Sequence, residues 1–230
     1  MSLFVIGDLH LSYGADKPMD IFGGAWEGFA EKLDAAWRET VAPEDTVVLC
    51  GDSTWGISLA EALPDFKYID SLPGKKYLLK GNHDYYWDTV SKMRRFLAEN
   101  ELSSLDFIHN SFAAYGDTAL CGTKGWFADE EEGHDRKIYL REVGRLRESL
   151  SQAEKAGFKK KRVFLHYPPV SPLSEYPEIT GLMREYGVSD CYYGHLHGPG
   201  LRNAVTGLTG GIEYHCVSAD YVKFTPQKII

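Results

Sequence analysis

The 230-residue sequence is short of thiols, of positive charge and of long apolar runs, and each shortage removes a class of function. Its four cysteines, Cys50, Cys121, Cys191 and Cys216, lie far apart with no Cys-x-x-Cys pair. That excludes a zinc knuckle or a dithiol redox motif, and each falls in an apolar segment where a reduced thiol acts as a small hydrophobe. Basic residues number 25 against 33 acidic ones, a net charge of −8, which repels nucleic-acid backbones at long range. The one basic run, Lys159-Lys160-Lys161-Arg162, reads as a solvated helix end whose cations complement the dipole. No apolar stretch approaches the roughly 20 residues that span a bilayer. Met1–Ile6 has no basic leader and no cleavage site, and reads as a first strand and not a signal peptide. The expectation is a soluble, cytoplasmic protein with no membrane partner and no affinity for nucleic acid.

What is present is enough for a core: 43% hydrophobic and 13% aromatic residues, with no low-complexity tract. The length suits one α/β domain over residues 1–230. Strand-like runs at 3–7, 46–50 and 76–80 alternate with amphipathic stretches at 26–40, 58–71 and 87–99, which predicts βαβ units and parallel pairing. Shorter strands are expected at 105–108, 111–115 and 118–122, then the longest helix at 135–156, closed by Gly157. Strand 162–166, a helix near 178–186, strand 190–194 and β-rich segments at 212–217 and 220–225 complete the reading. The Gly-rich stretch 198–211 reads as a loop. The pattern predicts two mixed sheets with flanking helices.

Polar residues collect where these strands end. Gly7-Asp8-Leu9-His10, Gly51-Asp52, Gly81-Asn82-His83-Asp84, His166 and Gly194-His195-Leu196-His197 all follow apolar runs, where open α/β sheets gather their ligands. Five of the eight histidines lie in these segments. Asp8 and Asp52 could instead be helix N-caps, but capping leaves the histidines unexplained. His109, His134 and His215 read as structural.

In this order, the five segments resemble the calcineurin-like metallophosphoesterase superfamily over residues 7–197. The resemblance implies two mixed β-sheets packed as a sandwich between helices, a four-layer α/β/β/α fold. It implies a dinuclear centre with Asp8, His10 and His197 on one metal, Asn82, His166 and His195 on the other, and Asp52 bridging. His83 would stay off the metals and, as imidazolium, protonate the leaving group, with Asp84 orienting its ring. The reaction implied is phosphoester hydrolysis by in-line attack of a metal-bridging hydroxide.

The donor chemistry agrees. Imidazoles mixed with carboxylates suit divalent transition ions (manganese first; iron, zinc, cobalt or nickel as alternatives) better than calcium or magnesium. A bridging carboxylate holds two cations about 3.5–4 Å apart, and a residual charge of about +1 favours a phosphoryl group.

The superfamily's protein serine/threonine phosphatases continue the second motif to Asp-Arg-Gly. Here it reads Gly51-Asp52-Ser53-Thr54-Trp55-Gly56, without the arginine, and the third motif ends in Asp84 rather than Glu. The chain more resembles small stand-alone bacterial-type members with phosphodiesterase or broad phosphatase activity on small, possibly nucleotide-like, substrates. A nuclease would be expected to carry a basic groove, and a non-catalytic scaffold to have lost ligands; neither is seen. Trp55, Tyr85, Tyr86, Trp87, Trp126 and Tyr167 crowd the motifs, either as a stacking wall or as packing. Gly122–Phe127 with the acidic run Asp129–Glu132 reads as a long connection of the kind that forms lids. Lys124 could touch phosphate, but as a lone lysine it is expected to be solvent-exposed.

Overall fold

The computed structural model describes residues 1–126, 133–173 and 175–230, without the side chains of residues 133–135. Two of its parallel strands, residues 3–6 and 46–49, are largely apolar and buried on both faces, which is why they read as continuous hydrophobic stretches and not as alternating ones. In the first sheet β1 (Leu3–Ile6), β2 (Thr46–Leu49), β3 (Lys75–Leu78) and β4 (Leu105–Phe107) pair in parallel, and β11 (Gln227–Lys228) joins β1 antiparallel. The second sheet comprises β5 (Phe112–Tyr115), β6 (Thr118–Thr123), β7 (Lys160–Leu165), β8 (Asp190–Tyr193), β9 (Gly207–Thr209) and β10 (Ile212–Cys216). Its order is β5-β6-β7-β8-β10-β9, parallel in the middle and antiparallel at both edges.

Residue alternation sorts the core into layers. Leu3, Val5, Val48, Leu79, Leu120, Phe164 and Tyr192 form one buried cluster between the sheets. Phe4, Ile6, Val47 and Leu49 point the other way, against α1 (Phe29–Thr40), α2 (Leu59–Ser71) and α3 (Val90–Glu99). Val163, Leu165, Cys191 and Tyr193 meet α4 (Gly133–Lys155) and α5 (Pro177–Glu185) on the far side. The result is the expected helix–sheet–sheet–helix sandwich. Local chemistry sets the helix starts: the Ser58 hydroxyl accepts from the Glu61 N–H and the Thr89 hydroxyl from the Lys92 N–H. No helix among the described residues is long and apolar enough to cross a membrane. All four cysteines are buried and unpaired.

Three expectations are corrected. Residues 220–225 are not β-rich: they form a turn, left-handed at Lys223 (φ 53°) and Phe224 (φ 56°), and the strand comes later, as β11. Residues 198–211 hold a 3-10 helix, Gly198–Asn203, and β9. The run Lys159–Arg162 belongs to the start of β7 and not to a helix end; Lys160 pairs with Asp117, Lys161 with Glu154 and Arg162 with Asp190. The connection read as a lid lies in part outside the described residues, at 127–132; of the rest, Gly122 and Thr123 end β6.

Candidate metal centre

The chain leaves β1, β2, β3, β7 and β8 at one rim, and each exit delivers a polar side chain. The first two exits are laced together by backbone hydrogen bonds, Asp8 N–H to Gly51 O (2.9 Å) and His10 N–H to Asp52 O (2.9 Å). Asp8, His10, Asp52 and His195 all take left-handed backbone conformations, with φ between 47° and 72°. Such L-residues cost about 1–3 kcal/mol each and persist where the surroundings over-determine them. Two glycines make room: a Cβ at Gly81 would fall on the Asp52 carboxylate, and one at Gly194 on the Asp8 carboxylate.

Donor atoms converge in two groups. Ligand atoms of Asp8, His10 and His197 lie within 4.8 Å of one another, as do those of Asp8, Asp52 and His166. His10 Nε2 and His197 Nε2 are 3.3 Å apart. Asn82 Oδ1 stands 2.6 Å from His166 Nε2 and 2.9 Å from His195 Nδ1, and those two ring nitrogens are 3.2 Å apart. Asp52 Oδ2 lies between the groups, 3.5 Å from His166 Nε2 and 3.8 Å from His10 Nε2. Asp8, Asp52, His10 and His166 form a buried floor, and His197 is 26% exposed at the rim.

Charges in this floor are strained. Burial, then the charge of Asp8, lifts the Asp52 carboxyl to about 8. Burial also works against Asp8, but its contacts with His197, His166 and His10 hold it below the usual carboxylate range. Burial brings His10 and His195 down to about 3 each, against the pull of Asp8, and lowers His166 as well. Burial opposes charge on His197 too, yet Asp220 and Asp8 carry it up to about 10. Imidazole nitrogens face one another across 3.2–3.3 Å and two aspartates crowd the same dry floor, a set of donor atoms that divalent cations satisfy once His197 and Asp52 give up their protons. The set holds no thiolate and suits transition ions.

The remaining site candidates divide. The His83 N–H donates to Asp52 Oδ1 (2.8 Å), and its ring packs 4.4 Å from Trp55 and 5.7 Å from His10. Its Nδ1 is buried with no partner among the described residues, and burial followed by the charge of His166 lowers its pKa, against the expected imidazolium. Asp84 does not orient that ring. Its carboxylate accepts instead from the backbone N–H groups of Gly81 (2.6 Å), Asp52 (2.8 Å) and Ser53 (3.0 Å), tying the β2 and β3 exits together. Asp8 and Asp52 cap no helix; they accept from the His195 and His83 N–H groups. Of the aromatics, Tyr86 is buried in the core and Trp87 packs against it. Trp55 stacks on His10 (4.9 Å), Tyr167 lies 4.3 Å from His195, and Tyr85 is exposed. His109 packs on Trp87 and His215 stacks on Tyr192; the His134 side chain lies outside the described residues.

One residue escaped the sequence reading. Asp220 Oδ1 accepts from His197 Nδ1 at 2.8 Å, and its Oδ2 from the Gly198 N–H at 3.0 Å. A carboxylate behind a ligand histidine fixes its tautomer and turns its other nitrogen toward the ion. Nothing near Ala219-Asp220-Tyr221 marks this role in sequence. His166 has the same support from a main-chain oxygen, with Nδ1 3.1 Å from Cys50 O. A cleft of about 500 Å³ lies elsewhere, around Arg162, Asp190, Tyr192 and His215; Arg162 there is already held by Asp190 and the Tyr192 hydroxyl.

The calcineurin-like phosphoesterase family matches residues 1–199, which include every converging donor named above except Asp220. Among solved structures, a protein of unknown function from Aquifex aeolicus, AQ665, is 15% identical with a TM-score of 0.53. The match covers 99% of this chain and 95% of that one. A second solved structure is 13% identical with a TM-score of 0.52, covering 93% of this chain and 88% of that one. These likenesses concern the fold. No curated protein matches the sequence.

Proposed function

Since this chain belongs to the calcineurin-like phosphoesterase family, we propose that it is a dinuclear metal-dependent hydrolase of small phosphoesters, diesters or monoesters. The observation that carries this reading is the convergence of donors from four strand exits into two overlapping groups that share Asp8 and meet at Asp52, with Asn82 from a fifth exit beside His166 and His195. Asp8, His10 and His197 would hold one ion, Asn82, His166 and His195 the other, with Asp52 between them; manganese suits this mixed set, as do iron, zinc, cobalt and nickel. Bound divalent ions supply a Lewis acid for the phosphoryl oxygens and an acidified water as nucleophile.

The chain's own residues do the rest. Asp220 and the Cys50 carbonyl orient His197 and His166 from behind. Asp84 holds the Asp52 and Asn82 loops at a set separation through three N–H bonds. Trp55 packs against His10 and His83 and keeps water from that side. His83, with Nδ1 buried, offers Nε2 to the leaving oxygen. Burial favours the neutral ring, and the negative charge of a bound phosphoryl group works in the opposite direction, so Nε2 gains its proton when substrate is present.

The test is a panel of phosphomonoesters and phosphodiesters, including bis-p-nitrophenyl phosphate, assayed with manganese, nickel, cobalt, zinc and magnesium. Turnover with at least one transition ion, abolished by chelation, is the expected result. No turnover of any ester with any ion would reject the reading.

A further inference from the structure

Two lysines here break a rule that others keep. Buried Lys76 gives its ammonium to the Leu72 and Asp70 carbonyls and the Ser104 hydroxyl, and buried Lys161 gives its own to Glu154 and the Tyr186 carbonyl. Lys80 and Lys124 are half-buried, and among the described residues neither ammonium has a hydrogen bond or an ion pair. Sheltered lysines normally find partners.

Both stand beside the candidate metal centre. Lys80 comes two residues before Asn82, at the β3 exit. Lys124 leaves β6, and its carbonyl accepts the N–H groups of His166 (3.1 Å) and Tyr167 (2.9 Å). The two exits meet through the inter-sheet core, where a Cβ at Gly122 would lie 2.6 Å from Leu79 Cδ2. The Lys124 ammonium lies 4.1 Å over the Trp126 ring and 5.7 Å from that of Tyr167, which in turn packs on His195. Helix α4 adds a third cation: Glu142 accepts from the Thr123 hydroxyl (2.5 Å) and pairs with Arg145.

The three cations share one locality: Lys80 follows Leu79, which faces Gly122, and Lys124 follows Thr123, which Glu142 links to Arg145. Glu142 is already engaged by Thr123 and Arg145, and Asp84 by three backbone N–H groups. The chain as a whole carries −8, so three cations gathered at this place run against its general trend.

We propose that Lys80, Lys124 and Arg145 form an anion subsite next to the metal centre that takes a second phosphate of the substrate. The substrate class is then a phosphoester bearing two phosphoryl groups, joined directly or across a sugar. This inference rests on the phosphoesterase reading and narrows it. Trp126 and Tyr167 hold the Lys124 ammonium by cation–π contact, so little side-chain freedom is lost when the anion arrives.

The experiment compares esters in matched pairs: thymidine 5′-(p-nitrophenyl phosphate) with and without a 3′-phosphate, and a nucleoside monophosphate ester against the corresponding pyrophosphate ester. In at least one pair the doubly phosphorylated member should show a kcat/KM roughly 10- to 100-fold higher, mostly through KM, as expected for charge-assisted contacts. In Lys124→Met, which keeps the stem against Trp126, and in Lys80→Met, that ratio should collapse toward one. Lys124→Arg should retain most of it. A ratio near one in wild type for both pairs, or a ratio that survives both methionine variants, overturns the subsite while leaving hydrolysis itself standing. Failure to hydrolyse any ester takes the phosphoesterase reading down with it.

Discussion

His83 and His197 sit five to six ångströms from His10, in the same cluster of rings, yet their surroundings push them in opposite directions. Among the described residues no partner bonds the buried Nδ1 of His83, and burial lowers its pKa. His197 lies between Asp8 and Asp220 and keeps its proton up to about 10. The difference separates their roles. His83→Ala should retain metal content, measured by atomic emission after reconstitution, while kcat falls by roughly 10²–10⁴. A variant as fast as wild type on bis-p-nitrophenyl phosphate would end the proton-donor role. His197 and Asp52, at about 10 and about 8, both carry protons at pH 7 in the metal-free protein, and an ion requires both groups deprotonated. Loading should therefore release about two protons at pH 7, about one between pH 8 and 10, and fewer above, with affinity weakening as pH falls. Calorimetry in buffers of different ionisation enthalpy reads this directly, and a heat independent of buffer would contradict it.

At the scale of elements, what matters is how exits from remote strands are held in register. The turn at 218–224 follows β10 and reaches back across the rim, where Asp220 supports His197. Asp220→Ala should weaken metal binding about 10- to 100-fold in chelator competition, with little change in far-UV circular dichroism. Unchanged affinity would make the carboxylate a turn cap only. The glycines behave as their contacts dictate. Gly81→Ala would drive a methyl group into Asp52, so bound metal should fall below two ions per chain while the fold remains. Gly144, inside α4 with nothing within 4 Å of an added Cβ, should accept alanine and gain about 0.5–1 kcal/mol in denaturant unfolding.

For the molecule as a whole, the two sheets with their three apolar layers supply the stability, and the rim spends some of it on left-handed backbone and buried like charge. Ions that bind only the folded chain give stability back. A concentration of manganese at 100 times Kd contributes about 2.7 kcal/mol for one site, which for a chain of this size is a midpoint shift of about 5–10 °C. Asp52→Asn, which removes the carboxylate lying between the two donor groups, should lose most of that shift. An equal shift in the variant would show the ions binding elsewhere.

Much of this architecture follows from the chain read in order. Val47-Val48-Leu49 and Val163-Phe164-Leu165 announce strands buried on both faces, and the glycine that precedes Asp8, Asp52, Asn82 or His195 announces a sharp exit at a strand end. Element type and donor identity depend on neighbours within a few positions, so they are legible locally. Partners set by the angle between distant segments are not. Asp84 turned out to serve backbone N–H groups thirty-two residues away instead of the adjacent ring. Asp220 reached His197 from within a segment read as strand, and Lys124 found shelter over Trp126 instead of solvent. Those contacts exist only once two sheets are stacked and five exits share one rim, because a hydrogen bond or a charge acts over ångströms in space and is blind to separation along the chain.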